Sequence, residues 1–295
     1  LNMNFHRMII PIAFHFARRA SYYSRRSISR RHNILFPPVL TALAFFWPIK
    51  SKQSIEGSQK NQSQTILAEA DKLFENGHYE QCYQLLSSDG VDDDVEIQWR
   101  ICRVLYNMSK DPKTNENSKK SLIARAYLVI SGILEENYNH FAVQKWYALL
   151  LDAKSANDGI KERIKQLETV KKHMDLAVTL NPKDATTLHM LGEWCYQLAE
   201  MPWHHRKIAS ALFASPPTST YEDALEYFLQ AESVEPRFYS VNLVRIGNCY
   251  LKMKKEDQAK YYLQLAATYP AKSNDDHQAN KEAAELLNKY FKHSK

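Results

Sequence analysis

The sequence predicts an all-α fold: a superhelical solenoid of about five helix hairpins with a C-terminal capping helix. Three observations carry this. From Thr65 onward apolar residues recur at steps of three and four, and no run alternates with period two. Alanine stands five residues before two of the prolines that close helical runs, and glycine ten or eleven residues after those same prolines. Seven glycines in 295 residues leave little material for tight β-hairpins or phosphate-cradling loops.

The repeat is clearest when read from its prolines. Pro182 closes "MDLAVTLNP", Pro236 closes "LQAESVEP" and Pro270 closes "LQLAATYP". Pro236 and Pro270 are 34 residues apart, while Pro182 and Pro236 are 54 apart, which is one period plus an insert of 20. Ala177 and Ala231 each stand five residues before their proline, and Gly192 and Gly247 stand ten and eleven after theirs. In "TYEDALEYFLQAESVEP" (220–236), Ala224, Phe228 and Ala231 share one helix face. The first helix of each pair needs a small residue, Gly192 or Gly247, where its partner crosses closely. The partner offers Ala224 or Ala259, and Phe228 and Leu263 are expected to fill the gap to the next pair. One pair cannot cover its own apolar face, so pairs must stack. The period and the small-residue pattern resemble the tetratricopeptide repeat.

The elements follow in order. Residues 1–50 hold eight Lys or Arg and no acid, and "FHFARRASYYSRRSISRRHNILF" has the composition of a mitochondrial targeting segment. A disordered basic tail for an acidic partner is the alternative. "ILFPPVLTALAFFWPI" (34–49) is apolar but short for a membrane span and carries three prolines. Residues 51–63, "SKQSIEGSQKNQS", read as a linker. Residues 64–295 are the helical domain. Its first hairpin is "ILAEADKLFENGHYEQCYQLLSS" (66–88), with Ala70, Gly77, Tyr79 and Cys82 at matching places. The second joins 96–108 to 121–137 across a polar insert. The third joins 141–153 to 159–180. The fourth and fifth are built on Gly192 and Gly247, and "DHQANKEAAELLNKYFKHSK" is the cap.

Charge and motifs narrow the function. The net charge of +6 resides in residues 1–50; the remainder has 31 basic residues against 33 acidic ones, so a nucleic-acid footprint is not expected. The four cysteines (Cys82, Cys102, Cys195, Cys249) form no Cys-x-x-Cys pair and read as reduced packing residues. Adjacent His204 and His205 point about 100 degrees apart on a helix and share a metal poorly. Asp92, Asp93 and Asp94 lack the glycine and later glutamate of a calcium loop and read as a turn with a helix cap. No phosphate-loop, serine-elbow or zinc-protease motif occurs, so no enzyme activity and no cofactor are expected.

Binding residues are sought on the face built from the first helices. His189, Glu193, Tyr196, Arg245 and Asn248 fall there. Lys145, Arg245 and Asn248 could serve a carboxylate clamp, but Leu149 and Glu193 stand where asparagines are wanted. Two basic clusters remain, 161–173 with Lys171 and Lys172, and 251–260 with Lys254 and Lys255. Each is either a solvated helix face or a contact for an acidic surface such as tubulin tails or lipid headgroups. In the insert, Ile208, Ala209, Leu212 and Phe213 form an apolar stripe, and the helix is expected to end at Ser215, before Pro216. It either seals the solenoid or docks a partner.

"NPKDATTLH", "WCYQLAEMPW", "RKIASALFASPPTSTYEDAL" and "EPRFYS" before Val241 and "NL" resemble the regulator of microtubule dynamics family, over residues 64–295. The resemblance implies a non-enzymatic, microtubule-associated scaffold found in the cytoplasm, on spindle microtubules and at spindle poles. It implies a mitochondrial association for some members; a longer relative tethers mitochondria and carries lipid in its helical domain. The partners to be expected are microtubules or tubulin and proteins bound by the first-helix face. A mitochondrial membrane or lipid is the alternative, and nucleic acid is not among the partners.

Overall fold

The computed structural model describes residues 52–88 and 94–292. All thirteen elements among them are helices. Five hairpins stack in chain order. α1 (Lys52–Glu75) pairs with α2 (Tyr79–Leu86), and α3 (Val95–Lys110) with α4 (Glu116–Ile133). α5 (Phe141–Asp158) pairs with α7 (Leu167–Leu180), α6 (Ile160–Lys165) lying between them in the chain. α8 (Ala185–Ala199) pairs with α10 (Tyr221–Val234) across the insert, which contains α9 (Trp203–Leu212). α11 (Ser240–Lys252) pairs with α12 (Glu256–Ala267), and α13 (Asn274–Phe291) packs on both as the cap.

Several boundaries differ from the sequence expectation. The stretch expected as a linker is helical from Lys52, because its lysines, glutamines and glutamate favour helix and no proline interrupts them. The second helix of the third hairpin breaks at Gln166 into α6 and α7. α9 stops at Leu212, three residues before Ser215: Phe213 is already extended (φ −119, ψ 138), with its N–H on the Ala209 carbonyl at 2.9 Å. Two consecutive prolines draw this whole segment toward extended backbone. Asp94 caps α3, accepting from the Glu96 N–H at 3.1 Å. Asp92 and Asp93 lie outside the described residues, as does the targeting-like segment 1–50.

Helix starts are specified locally. Thr220 and Asp223 form a reciprocal capping box on α10, and Ser273 and Asp276 form another on α13. Asp184 accepts the Thr187 N–H at 2.8 Å to start α8.

The hairpins close over the two glycines. A Cβ on Gly192 would lie 2.5 Å from the Phe228 ring, and one on Gly247 would lie 2.7 Å from Leu263 Cγ. Phe228 and Leu263 are both 0% exposed. They therefore sit on the glycine of their own hairpin rather than only in the gap to the next. Phe228 also belongs to a cluster with Ile246 and Cys249 of the following pair, so one ring seals two interfaces. Burial of each such side chain contributes about 1.5–3 kcal/mol. All four cysteines are buried and unpaired. The Cys82 thiol donates to the Ala70 carbonyl at 3.1 Å, and burial pushes the Cys102 and Cys249 thiols up to about 12.

This geometry separates glycines that are required from one that is not. Gly192→Ala and Gly247→Ala should each lower unfolding free energy by about 1–2 kcal/mol, the overpacking cost exceeding the gain in helix propensity. Gly132→Ala, whose Cβ meets nothing within 4 Å, should raise it by up to about 1 kcal/mol. Urea unfolding of the three variants measures this.

Candidate interaction surface

The first helices meet through a run of charged contacts, one at each step. Asp71 of α1 accepts from Arg100 of α3 at 2.9 Å and also pairs with Arg103. Glu96 of α3 pairs with Arg100 at 2.6 Å and reaches His140, the residue before α5, at 3.0 Å. Lys145 of α5 meets Asp184 at the start of α8 at 2.9 Å. Arg163 of α6 forks onto Asp152 of α5 at 2.8 Å and donates to Gln197 of α8 at 2.8 Å. Glu193 of α8 pairs with Arg245 of α11, and Glu200 pairs with Lys252 at 2.6 Å. Arg245 and Asn248 then reach Glu282 of α13, at 3.6 and 3.1 Å.

The protonation energetics agree. Burial alone would raise the carboxyl of Asp71, but the Arg100 and Arg103 guanidiniums outweigh it and hold the group below the usual carboxylate range. Asp184 behaves likewise: burial opposes ionisation, and Lys145 and Thr187 overcome it.

The expected binding residues fare differently. His189 is a correction: its ring is 8% exposed, packed among Phe228, Phe238 and Tyr239, with Nδ1 at 3.0 Å from Asn242 Oδ1. It lies between stacked hairpins rather than on an open face, and burial lowers its pKa. Glu193 and Arg245 are brought together, but onto each other. The Tyr196 ring lies 5.3 Å from the Arg245 guanidinium and 5.9 Å from the Tyr221 ring. Lys145, Arg245 and Asn248, the clamp-like groups, each already hold a carboxylate of this chain. Lys171 pairs with Asp175 at 2.7 Å and lies 5.6 Å from the Trp194 ring, while Lys172 is exposed. Lys254 and Lys255 are exposed at the α11–α12 turn, Lys254 in the left-handed region at φ 58. The His204 and His205 rings stand 4.3 Å apart at the start of α9. No group of three or more metal-ligating side chains occurs among the described residues.

Sequence reasoning missed a cleft of about 310 Å³ where α7, α8 and the end of the insert meet. Trp194 and Pro217 line it, the Trp194 indole N–H tied to the Leu167 carbonyl at 3.1 Å. Lys171, Lys172, Glu168 and Asp175 line it as well. A second cleft, of about 440 Å³, lies between the α1–α2 turn and the loop after α3, beside Tyr79 and Asp111. Both join residues far apart in the chain, so no local pattern announces them. No helix among the described residues is long and apolar enough to cross a membrane.

Comparison with known proteins follows the same boundaries. Residues 66–291 match the family described as Regulator of microtubule dynamics protein 1-3. The chain is 44% identical over 225 residues to Regulator of microtubule dynamics protein 1 of Pongo abelii, covering 76% of this chain and 72% of that protein. It is 32% identical over 235 residues to Regulator of microtubule dynamics protein 3 of Mus musculus, covering 78% of this chain and 50% of that protein. Among solved structures, a tetratricopeptide-repeat protein of Thermus thermophilus, TTC0263, superposes with a TM-score of 0.53 at 16% identity, over 76% of this chain and 99% of that one. It shares the helical-solenoid fold.

Stability should fall with acid in two stages. His173 and His189 are held neutral, chiefly by burial, so the unfolded chain takes up protons first as pH drops below about 6.5. Asp71 and Asp184 have depressed values, so their contribution is present above about pH 4 and is lost as pH falls through their folded values. Urea midpoints from pH 8 to 3 check this. Asp184→Asn should lower the midpoint at pH 7, by about 1–3 kcal/mol of stability, and flatten the lower stage.

Proposed function

This chain belongs to the Regulator of microtubule dynamics protein 1-3 family, and from that membership we propose that its helical solenoid is a non-enzymatic scaffold that contacts microtubules. One observation carries the reading: relatives named as regulators of microtubule dynamics match the chain across the whole solenoid rather than a fragment of it. Organisation of the spindle, with residence in the cytoplasm and on the cytoskeleton, is the cellular setting consistent with that contact.

The geometry supports a division of labour. Glu193, Arg245 and Asn248 serve the stacking of hairpins, since their polar atoms already face one another or Glu282, and the Tyr196 ring lies against the Arg245 guanidinium. Lys172, Lys254 and Lys255 are exposed, and Lys171 stands beside Lys172. These lysines are the groups we assign to an acidic surface such as the tubulin tails. Attraction of this kind between exposed charges is screened over about 10 Å at 0.1 M salt, so it weakens as salt is added. A mitochondrial tether would draw on residues 1–50, which lie outside the described residues.

Co-pelleting of the purified chain with microtubules tests the contact. The pelleted fraction should be highest at low salt and fall as salt rises. The combined Lys171→Glu, Lys172→Glu, Lys254→Glu and Lys255→Glu variant should pellet several-fold less while keeping its helical circular dichroism. Absence of pelleting at low salt removes direct contact, and pelleting restored by a cell extract would then place a partner between the two.

A further inference from the structure

Ser215 is the one serine or threonine of the 295-residue chain that is followed by proline. It lies in the non-helical segment between α9 and α10 and is exposed. Pro216 and Pro217 hold the backbone there away from helix. Two of the hydroxyls downstream are engaged, and Thr218, which is exposed, is not followed by proline. Thr220 is committed to the α10 cap, and Ser219 donates to Asp223 at 3.0 Å. Pro217, two residues after Ser215, lines the Trp194 cleft together with Lys171 and Lys172. Two extended residues span at most roughly 7 Å, so Ser215 lies within that distance of Pro217 and of the edge of the cleft that Pro217 lines.

We propose that Ser215 is a phosphorylation site for proline-directed protein kinases and that its phosphate lies against Lys172 and Lys171 at the cleft, masking the basic face of α7. In the transfer, Ser215 Oγ attacks the γ-phosphorus of ATP. The bond from that phosphorus to the β–γ bridging oxygen breaks and ADP leaves. The hydroxyl proton passes to the catalytic-loop aspartate of the kinase. The product adds a charge of about −1.5 to −2 at neutral pH. Four charged groups line the cleft: Glu168, Lys171, Lys172 and Asp175. Asp175 already engages Lys171 at 2.7 Å, Glu168 repels the phosphate, and Lys172 is therefore the main counter-ion. The modification stands on the loop alone; the masking rests on the reading of α7 as a contact for an acidic surface.

Purified full chain, ATP and a proline-directed serine/threonine kinase test the site by mass spectrometry. One phosphate is expected on the peptide holding Ser215, reduced about tenfold or more in Ser215→Ala and in Pro216→Ala. No incorporation into the wild type, while a control peptide is fully modified, overturns the site. Phosphorus NMR tests the placement. The second ionisation should fall below the ordinary value of about 6 and return toward it in Lys172→Ala; an unshifted value overturns the cleft contact. Phosphorylated chain should pellet with microtubules about threefold less than unmodified chain at low salt. Equal pelleting of both overturns the masking. If unmodified chain does not pellet, the microtubule reading fails instead, and mass spectrum and NMR still decide the site and its placement.

Discussion

The contact of Phe228 with Gly192, repeated by Leu263 on Gly247, sets how closely the two helices of a hairpin approach. A glycine lets a large ring or branched chain press onto helix backbone, and interiors at crystal-like density leave no slack for a methyl group. Once this distance is set, the outer side of the second helix has no apolar partner within the pair. It must meet the next first helix, and Phe228 does so through its cluster with Ile246 and Cys249. Stacking is thus a consequence of hairpin geometry, and the capping helix α13 is what ends it.

Charge then fixes register along the stack. Each step between first helices carries a carboxylate–cation pair or a charge-assisted hydrogen bond, from Asp71 and Arg100 to Asn248 and Glu282. Part-buried pairs of this kind are costly to desolvate and costlier still to break, because removing one partner strands the other. These first-helix polar groups are engaged within the chain, while Lys172, Lys254 and Lys255 are exposed.

The insert is where the repeat departs from its period. α9 packs against α6, so the extra residues lie over the broken second helix of the third hairpin. The extended run after Leu212 then returns past Trp194 before Thr220 starts α10.

The chain by itself determined the helical class, the five hairpins, the cap and the small-residue crossings, because periodicity, capping residues and the spacing of prolines are local. Asp94 as a cap and Gly192 as a crossing point were legible for that reason. The family was legible in the insert, whose residues are more distinctive than the repeat. Tertiary structure alone decided the fate of the polar residues. His189 and Glu193 both fall on the first-helix face by spacing, yet His189 is buried among aromatic rings and Glu193 meets Arg245 52 residues away. The Trp194 cleft likewise joins α7, α8 and Pro217. Sequence spacing reports which side of one helix a residue occupies; the angle and distance at which the next hairpin arrives determine what that side touches.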